Sequence, residues 1–220
     1  ATSLLLFHHL DAATWDKVSI YLQPGDSNPM EIKTGILDSS ADVEGYFIDS
    51  MESIGWGQLQ IQINNNNANK SLITDSQRSY ASGYAEGMLT AQRIYQHYHN
   101  MQATEFWNFT DGPSPQLLQW LQQQKAWQTQ MIAANPDSDL WKMVQITQSQ
   151  VDGLWHGYNH YAQQYNTVPY QNTSWIFEFF QILPDLMDLE NVFNISTRFD
   201  LQTNKMSAAE LYQYLMKRTH

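Results

Sequence analysis

The sequence predicts an α+β fold in which strands come first and helices follow. Three observations carry this reading. Short β-branched or aromatic runs separated by turn residues fill the first third of the chain. One strictly alternating segment, "WGQLQIQI" at 56–63, closes that third, and beyond it apolar residues recur at helical spacing. No internal repeat and no clear linker interrupts the 220 residues, so residues 1–220 read as one full-sized domain or one large piece of a bigger one.

In order, "LLLFHH" (4–9), "KVSIYLQ" (17–23) and "EIKTGIL" (31–37) are expected to be strands, divided by "LDAATWD" and the turn-forming "PGDSNP". "DVEGYFIDSMESIG" (42–55) places Val43, Tyr46, Phe47 and Met51 at helical spacing and predicts a helix capped at Gly55. In the next strand Leu59, Ile61 and Ile63 share one face and Gln58, Gln60 and Gln62 the other. After the polar loop 64–71 a long helix starts at Thr74 or Ser76 and includes "SYASGYAEGMLTAQRIYQHYHNM" (79–101). Ser114-Pro115 predicts an N-cap followed by a first-turn proline, and "NPDSD" (135–139) ends that helix and starts another. A further helix is expected from about Ser174, kinked or restarted at Pro184, and a last one begins with a Ser207/Glu210 capping box.

Hydrophobic residues make up 42% of the chain, enough for a core, while only 15% are charged. Gln, Asn, Ser and Thr must therefore cover much of the surface. A net charge of −11 argues against nucleic acid and anionic membrane surfaces as partners. No apolar run approaches the roughly 18 residues of a membrane span. The chain opens at Ala1 without a basic leader, which is read as the mark of a processed product. Cysteine is absent, excluding disulfides and cysteine-based zinc sites within the chain. Four N-x-S/T sequons, at Asn69, Asn108, Asn172 and Asn194, fall where loops or element edges are expected and point to the secretory route.

Candidate chemistry is sparse. Asp152, His156 and His160 lie at i, i+4 and i+8, one stripe of a helix, a carboxylate and two imidazoles suited to zinc or iron. "HGYNH" nevertheless has Gly157 where a zinc protease carries glutamate, and hydrogen-bonded surface histidines are the stronger reading. His8 and His9 point to opposite faces of a strand. His97 and His99 stand about 200° apart around a helix, so neither pair shares a ligand. Glu86, Thr90, Arg93 and His97 form a polar stripe, expected to be internal and salt-bridged against a neighbouring element rather than catalytic. Gly83 and Gly87, four apart, predict close approach of another backbone. There is no G-x-S-x-G elbow, no phosphate-binding loop and no N-terminal nucleophile, so no complete active site lies in this chain. No catalytic, cofactor or metal residue is assigned.

"IGWGQLQI" (54–61) followed by "YASGYAEGMLTAQRIYQHYHNM" (80–101) resembles the phospholipase B-like family. "NPDSDLWKMVQITQSQVDGL" (135–154) is similar to the family's middle helices, and "FFQILPDLMDLE" (179–190) to its segment before a maturation site. The resemblance implies an αββα Ntn-hydrolase sandwich, secreted or lysosomal, glycosylated, and made as a proenzyme that is split in two. This chain would be the N-terminal fragment, released by a cut after His220, and its partner a C-terminal fragment beginning with a cysteine nucleophile. The implied reaction is hydrolysis of a phospholipid acyl ester without a cofactor. Amide cleavage of N-acyl lipids or peptide-like substrates is an alternative, and a non-catalytic lipid- or protein-binding glycoprotein another.

Overall fold

A computed structural model describes residues 17–24, 30–64, 72–102, 115–172, 174–185, 189, 192–193 and 207–218. The expected strand at 4–9, with His8 and His9, lies outside the described residues, as do Asn69, Asn108, Asn194 and His220. The chain divides into two compact units, 1–181 and 182–220.

The first unit is α+β. Strands β1 (Lys17–Leu22), β2 (Met30–Thr34), β3 (Val43–Ser50) and β4 (Trp56–Ile63) form an antiparallel sheet in the order β2-β1-β3-β4. A short helix α1 (Met51–Ile54) joins β3 to β4, and α2 (Asp75–Gln102), α3 (Pro115–Ala134), α4 (Asp139–Tyr165) and α5 (Trp175–Gln181) follow.

Residues 43–50 are a strand where their spacing predicted a helix. Only Met51–Ile54 is helical, and Gly55 caps it as expected, in the left-handed conformation at φ 78° with its N–H bonded to the Met51 carbonyl. Tertiary pairing decides the difference. β3 is held on both sides, by β1 from Lys17↔Tyr46 to Ile20↔Val43 and by β4 from Val43↔Ile63 to Ser50↔Trp56. Gly45 sits so close to the Ile61 and Leu89 side chains and the Gln60 carbonyl that no larger residue fits without displacing them. Intrinsic preference yields to such pairing readily in short segments.

The inner sheet face is the apolar one. Val18, Ile20 and Leu22 of β1 and Val43 of β3 are buried with Ala81, Tyr84, Ala85 and Met88 of α2, and Ile32 and Ile61 pack against them. Across the sheet, the loop after β2 folds over Ser19. The Ser19 hydroxyl donates to the Ile36 carbonyl at 3.1 Å and accepts from the Asp38 N–H at 3.0 Å, which explains why a serine is fully buried in the strand. Asp38 accepts bonds from Ser40 and Tyr21, and these hold its carboxyl at about 2.

Helix starts follow their caps. Thr74 and Gln77 form a reciprocal box, with the Thr74 N–H donating to Gln77 at 2.8 Å and the Gln77 N–H donating to the Thr74 hydroxyl at 3.2 Å. α4 ends at Asn166, whose left-handed backbone (φ 51°) aims its N–H at the Ala162 carbonyl. α5 stops before Pro184, which sits in a 3₁₀ turn, Leu183–Asp185. In the second unit, α6 (Ala208–Arg218) opens with the predicted box: the Ser207 N–H donates to Glu210 at 2.8 Å.

Candidate functional site: the glycine seam between α2 and α4

α2 lies with one side on the sheet and another along α4. Gly83 and Gly87 rest on the backbone of α4 at Gln150 and Leu154, and Gly153 and Gly157 of α4 rest on the backbone of α2 at Tyr80 and Tyr84. A Cβ at any of the four would fall far inside contact distance of a main-chain carbonyl. Contacts climb both helices together, so the two run side by side in the same direction. Ser79, a turn before Gly83, donates its hydroxyl to the Ile146 carbonyl at 2.9 Å, and buried Ala91 extends the small-residue line a turn beyond Gly87. The expected close approach of a backbone to Gly83 and Gly87 is observed. Its partner pair went unread, although Gly153 and Gly157 have the same four-residue spacing.

Tyrosine–histidine pairs flank the seam. The Tyr80 hydroxyl lies 3.1 Å from His156 Nδ1 and the Tyr84 hydroxyl 2.5 Å from His160 Nδ1. Burial pushes both phenols up, so each stays protonated. Asp152, the third member of the stripe, turns to Lys125 of α3, which also reaches Glu178 of α5 at 2.9 Å. Burial alone would pull the Lys125 ammonium down, but Glu178 and Asp152 more than offset it and hold it charged. The three residues that shared a metal-like spacing are thus spread over three partners on two helices beyond their own. Among the described residues no three His, Asp or Glu side chains converge.

The polar stripe on α2 divides in two. Glu86 is half-buried beside the seam, its carboxyl raised by burial and partly restored by a hydrogen bond with Gln150. Arg93 makes its ion pair with the sheet, as Nε and Nη2 grip the two Asp49 oxygens at 2.7 and 2.6 Å. That bidentate bond holds the Asp49 carboxyl below its usual range. The expected salt bridge therefore joins α2 to β3, and Glu86 takes no part in it. His97 packs on Phe180 and His99 on Tyr95, on different sides of the helix as their spacing required. Asn172 lies in an exposed bend before α5, open to a sugar.

Tyr80–His156, Tyr84–His160 and Lys125 with Asp152 and Glu178 thus pair across helix contacts. Among the described residues no helix is long and apolar enough to cross a membrane. The family model for phospholipase B matches residues 43–220, a stretch that takes in β3, β4, the seam and α1 through α6. Phospholipase B-like protein G of Dictyostelium discoideum is 38% identical over 115 residues, covering 52% of this chain and 19% of its own length. Phospholipase B of Crotalus adamanteus is 28% identical over 181 residues, 82% of this chain and 32% of its own. Phospholipase B-like 1 of Rattus norvegicus is 28% identical over 166 residues, 74% of this chain and 28% of its own. The chain thus spans about a fifth to a third of the length of these curated relatives. With the family's pattern running through strand, seam and helices alike, the chain belongs to the phospholipase B family.

Proposed function

We propose that this chain is the N-terminal fragment of a phospholipase B-like hydrolase whose nucleophile is a cysteine at the start of a C-terminal fragment of the same precursor. One combination carries the reading: a family match over residues 43–220 in a chain that has no cysteine and spans a third or less of its relatives. α2 packs on one face of the sheet through Ala81, Tyr84, Ala85 and Met88, with α4 beyond it, a helix-on-sheet layering that suits half of an αββα sandwich.

In this reading the partner's α-amine takes the thiol proton and the thiolate attacks the acyl carbonyl. The tetrahedral intermediate collapses to a thioester as the alcohol leaves with that proton, and water then releases the fatty acid and regenerates the thiol. This chain supplies the scaffold, which is why its titratable groups are committed to packing. The substrate is a phospholipid ester, no cofactor takes part, and the compartment is lysosomal or secreted, with sugars on Asn69, Asn108, Asn172 and Asn194. Amide hydrolysis is the second reading, because an N-terminal amine–thiol pair serves amides equally well.

N-terminal sequencing of the purified protein tests the proposal. Two chains are expected, one ending at or near His220 and the other opening with cysteine. Any other first residue without a hydroxyl or thiol removes the catalytic reading and leaves a binding glycoprotein. Release of fatty acid from phosphatidylcholine vesicles, set against an N-acyl amide and a variant with that cysteine replaced by alanine, separates ester from amide chemistry.

A further inference from the structure

Asn172 is exposed and has room for a sugar, yet the chain on both sides of it is committed to the fold. On the N-terminal side, α4 grips the backbone of Gln171. The Gln171 N–H donates to Asn159 Oδ1 at 2.8 Å, and its carbonyl accepts from Asn159 Nδ2 and Trp155 Nε1, each at 2.9 Å. Asn159 is only 5% exposed, which shields these bonds from competing water. The Tyr158 hydroxyl fastens the same loop by donating to the Pro169 carbonyl at 3.0 Å.

On the C-terminal side, the Ser174 hydroxyl donates to Glu178 Oε1 at 2.8 Å, the carboxylate oxygen that Lys125 also holds. The Ser174 carbonyl accepts the N–H groups of Phe177 and Glu178 at 2.9 and 3.2 Å, which bends the chain into the first turn of α5. Phe177 in turn is buried against Tyr158 and fixes α5 on α4.

Both sides matter to sugar transfer. A sequon needs a hydroxyl two residues after its asparagine, so the transferring enzyme must bond that hydroxyl and take the surrounding chain into its own groove. The Asn172 amide nitrogen then attacks the anomeric carbon of a lipid-diphosphate oligosaccharide. An N–C bond forms, the C–O bond to the diphosphate breaks, the amide gives one proton to the enzyme and the lipid diphosphate leaves.

We propose that folding closes the Asn172 sequon: the folded chain can carry a sugar there but cannot acquire one, so attachment must precede the docking of α5 on α4. The Ser174 hydroxyl is spent on Glu178, and Gln171 cannot leave α4 without breaking its bonds to Asn159 and Trp155. The proposal rests on the reading of Asn172 as a glycosylated residue and adds the order of events.

The complete protein, produced with glycosylation blocked and purified folded, is incubated with an oligosaccharyltransferase and a lipid-linked oligosaccharide. Mass spectrometry reads occupancy at Asn172, and a peptide of residues 168–178 is the open reference. The peptide should be modified on the order of 100-fold faster than the folded protein. Asn159→Ala and Glu178→Ala, which each free one side, should each raise the rate of the folded protein on the order of 10-fold. Equal rates for peptide and folded protein would overturn the proposal. So would refusal by the peptide, because sequence and not fold would then close the site. Hydrogen exchange in the native, unsubstituted protein guards against a misfolded substrate: the Gln171 amide should be protected, and free exchange there would equally overturn the closure. The two readings fail separately. Native protein bare at Asn172, whose folded form refuses sugar while the peptide accepts it, retains the closure and removes Asn172 from the glycosylated residues. Sugar on native Asn172 with ready transfer to the folded chain would do the reverse.

Discussion

Replacing Gly87 by alanine sets two physical effects against each other with opposite signs. Inside a helix the change should stabilise by about 1 kcal/mol, because glycine has more backbone freedom to lose on folding. In the seam the new methyl would meet the Leu154 carbonyl and the Tyr158 amide of α4, main-chain atoms that cannot rotate aside. Overpacking of this kind costs about 1–3 kcal/mol. Here the obstacle is backbone and recurs at Gly83, Gly153 and Gly157, so the upper half of that range applies and a net loss of about 1–2 kcal/mol is expected. Urea unfolding of the assembled protein, followed by tryptophan fluorescence, measures it. Ala126→Gly, on an exposed position of α3, calibrates the propensity effect alone. Gly157→Ala should cost as much as Gly87→Ala. The double variant should cost less than their sum, since one separation of the helices relieves both clashes. A Gly87→Ala protein stabilised by about 1 kcal/mol would show that α2 and α4 have room between them, and the reasoning from the seam would be wrong.

Three further outcomes follow from the contacts of α2. Glu86 has its carboxyl raised by burial, so its protonated form favours the folded state: stability is full below about 4.5 and falls as pH rises through the raised value. Glu86→Gln should flatten that part of the pH–stability profile, and an unchanged profile would contradict the assignment. Asp49 behaves oppositely. Its lowered carboxyl stabilises above its ordinary 3.8 and loses that contribution as pH falls through the depressed value. Because both partners are about a third exposed, Arg93→Ala should cost only about 0.5–1 kcal/mol at neutral pH, measured by thermal unfolding, and less in high salt. Tyr84→Phe keeps the ring and removes only the hydroxyl that meets His160, so a loss of about 1 kcal/mol is expected. Urea unfolding checks that, and His160→Ala in the Tyr84→Phe background should cost less than it does alone.

Much was legible because it depends on neighbours in sequence. The Ser207/Glu210 box, the Gly55 cap, the start at Pro115 and the alternation of 56–63 are local devices, set by backbone geometry within a few residues. The small-residue spacing of Gly83 and Gly87 announced a close neighbour but could not say which. Residues 43–50 differ for the same reason: their fate hangs on pairing with β1 and β4, which the helical spacing of 42–55 does not report.

The α+β class, the cysteine-free composition and the family pattern were therefore determined by the sequence alone, since each is a property of residue identity and short-range spacing. Tertiary structure decided where the chemistry-bearing side chains went. Asp152, His156 and His160 share a helical stripe, yet Lys125, Tyr80 and Tyr84 draw them to separate partners. Arg93 passes over Glu86 for Asp49, 44 residues away, because α2 rests on β3. Such choices depend on which surfaces meet, and hydrogen bonds and ion pairs form only between groups that packing has already brought within about 3 Å.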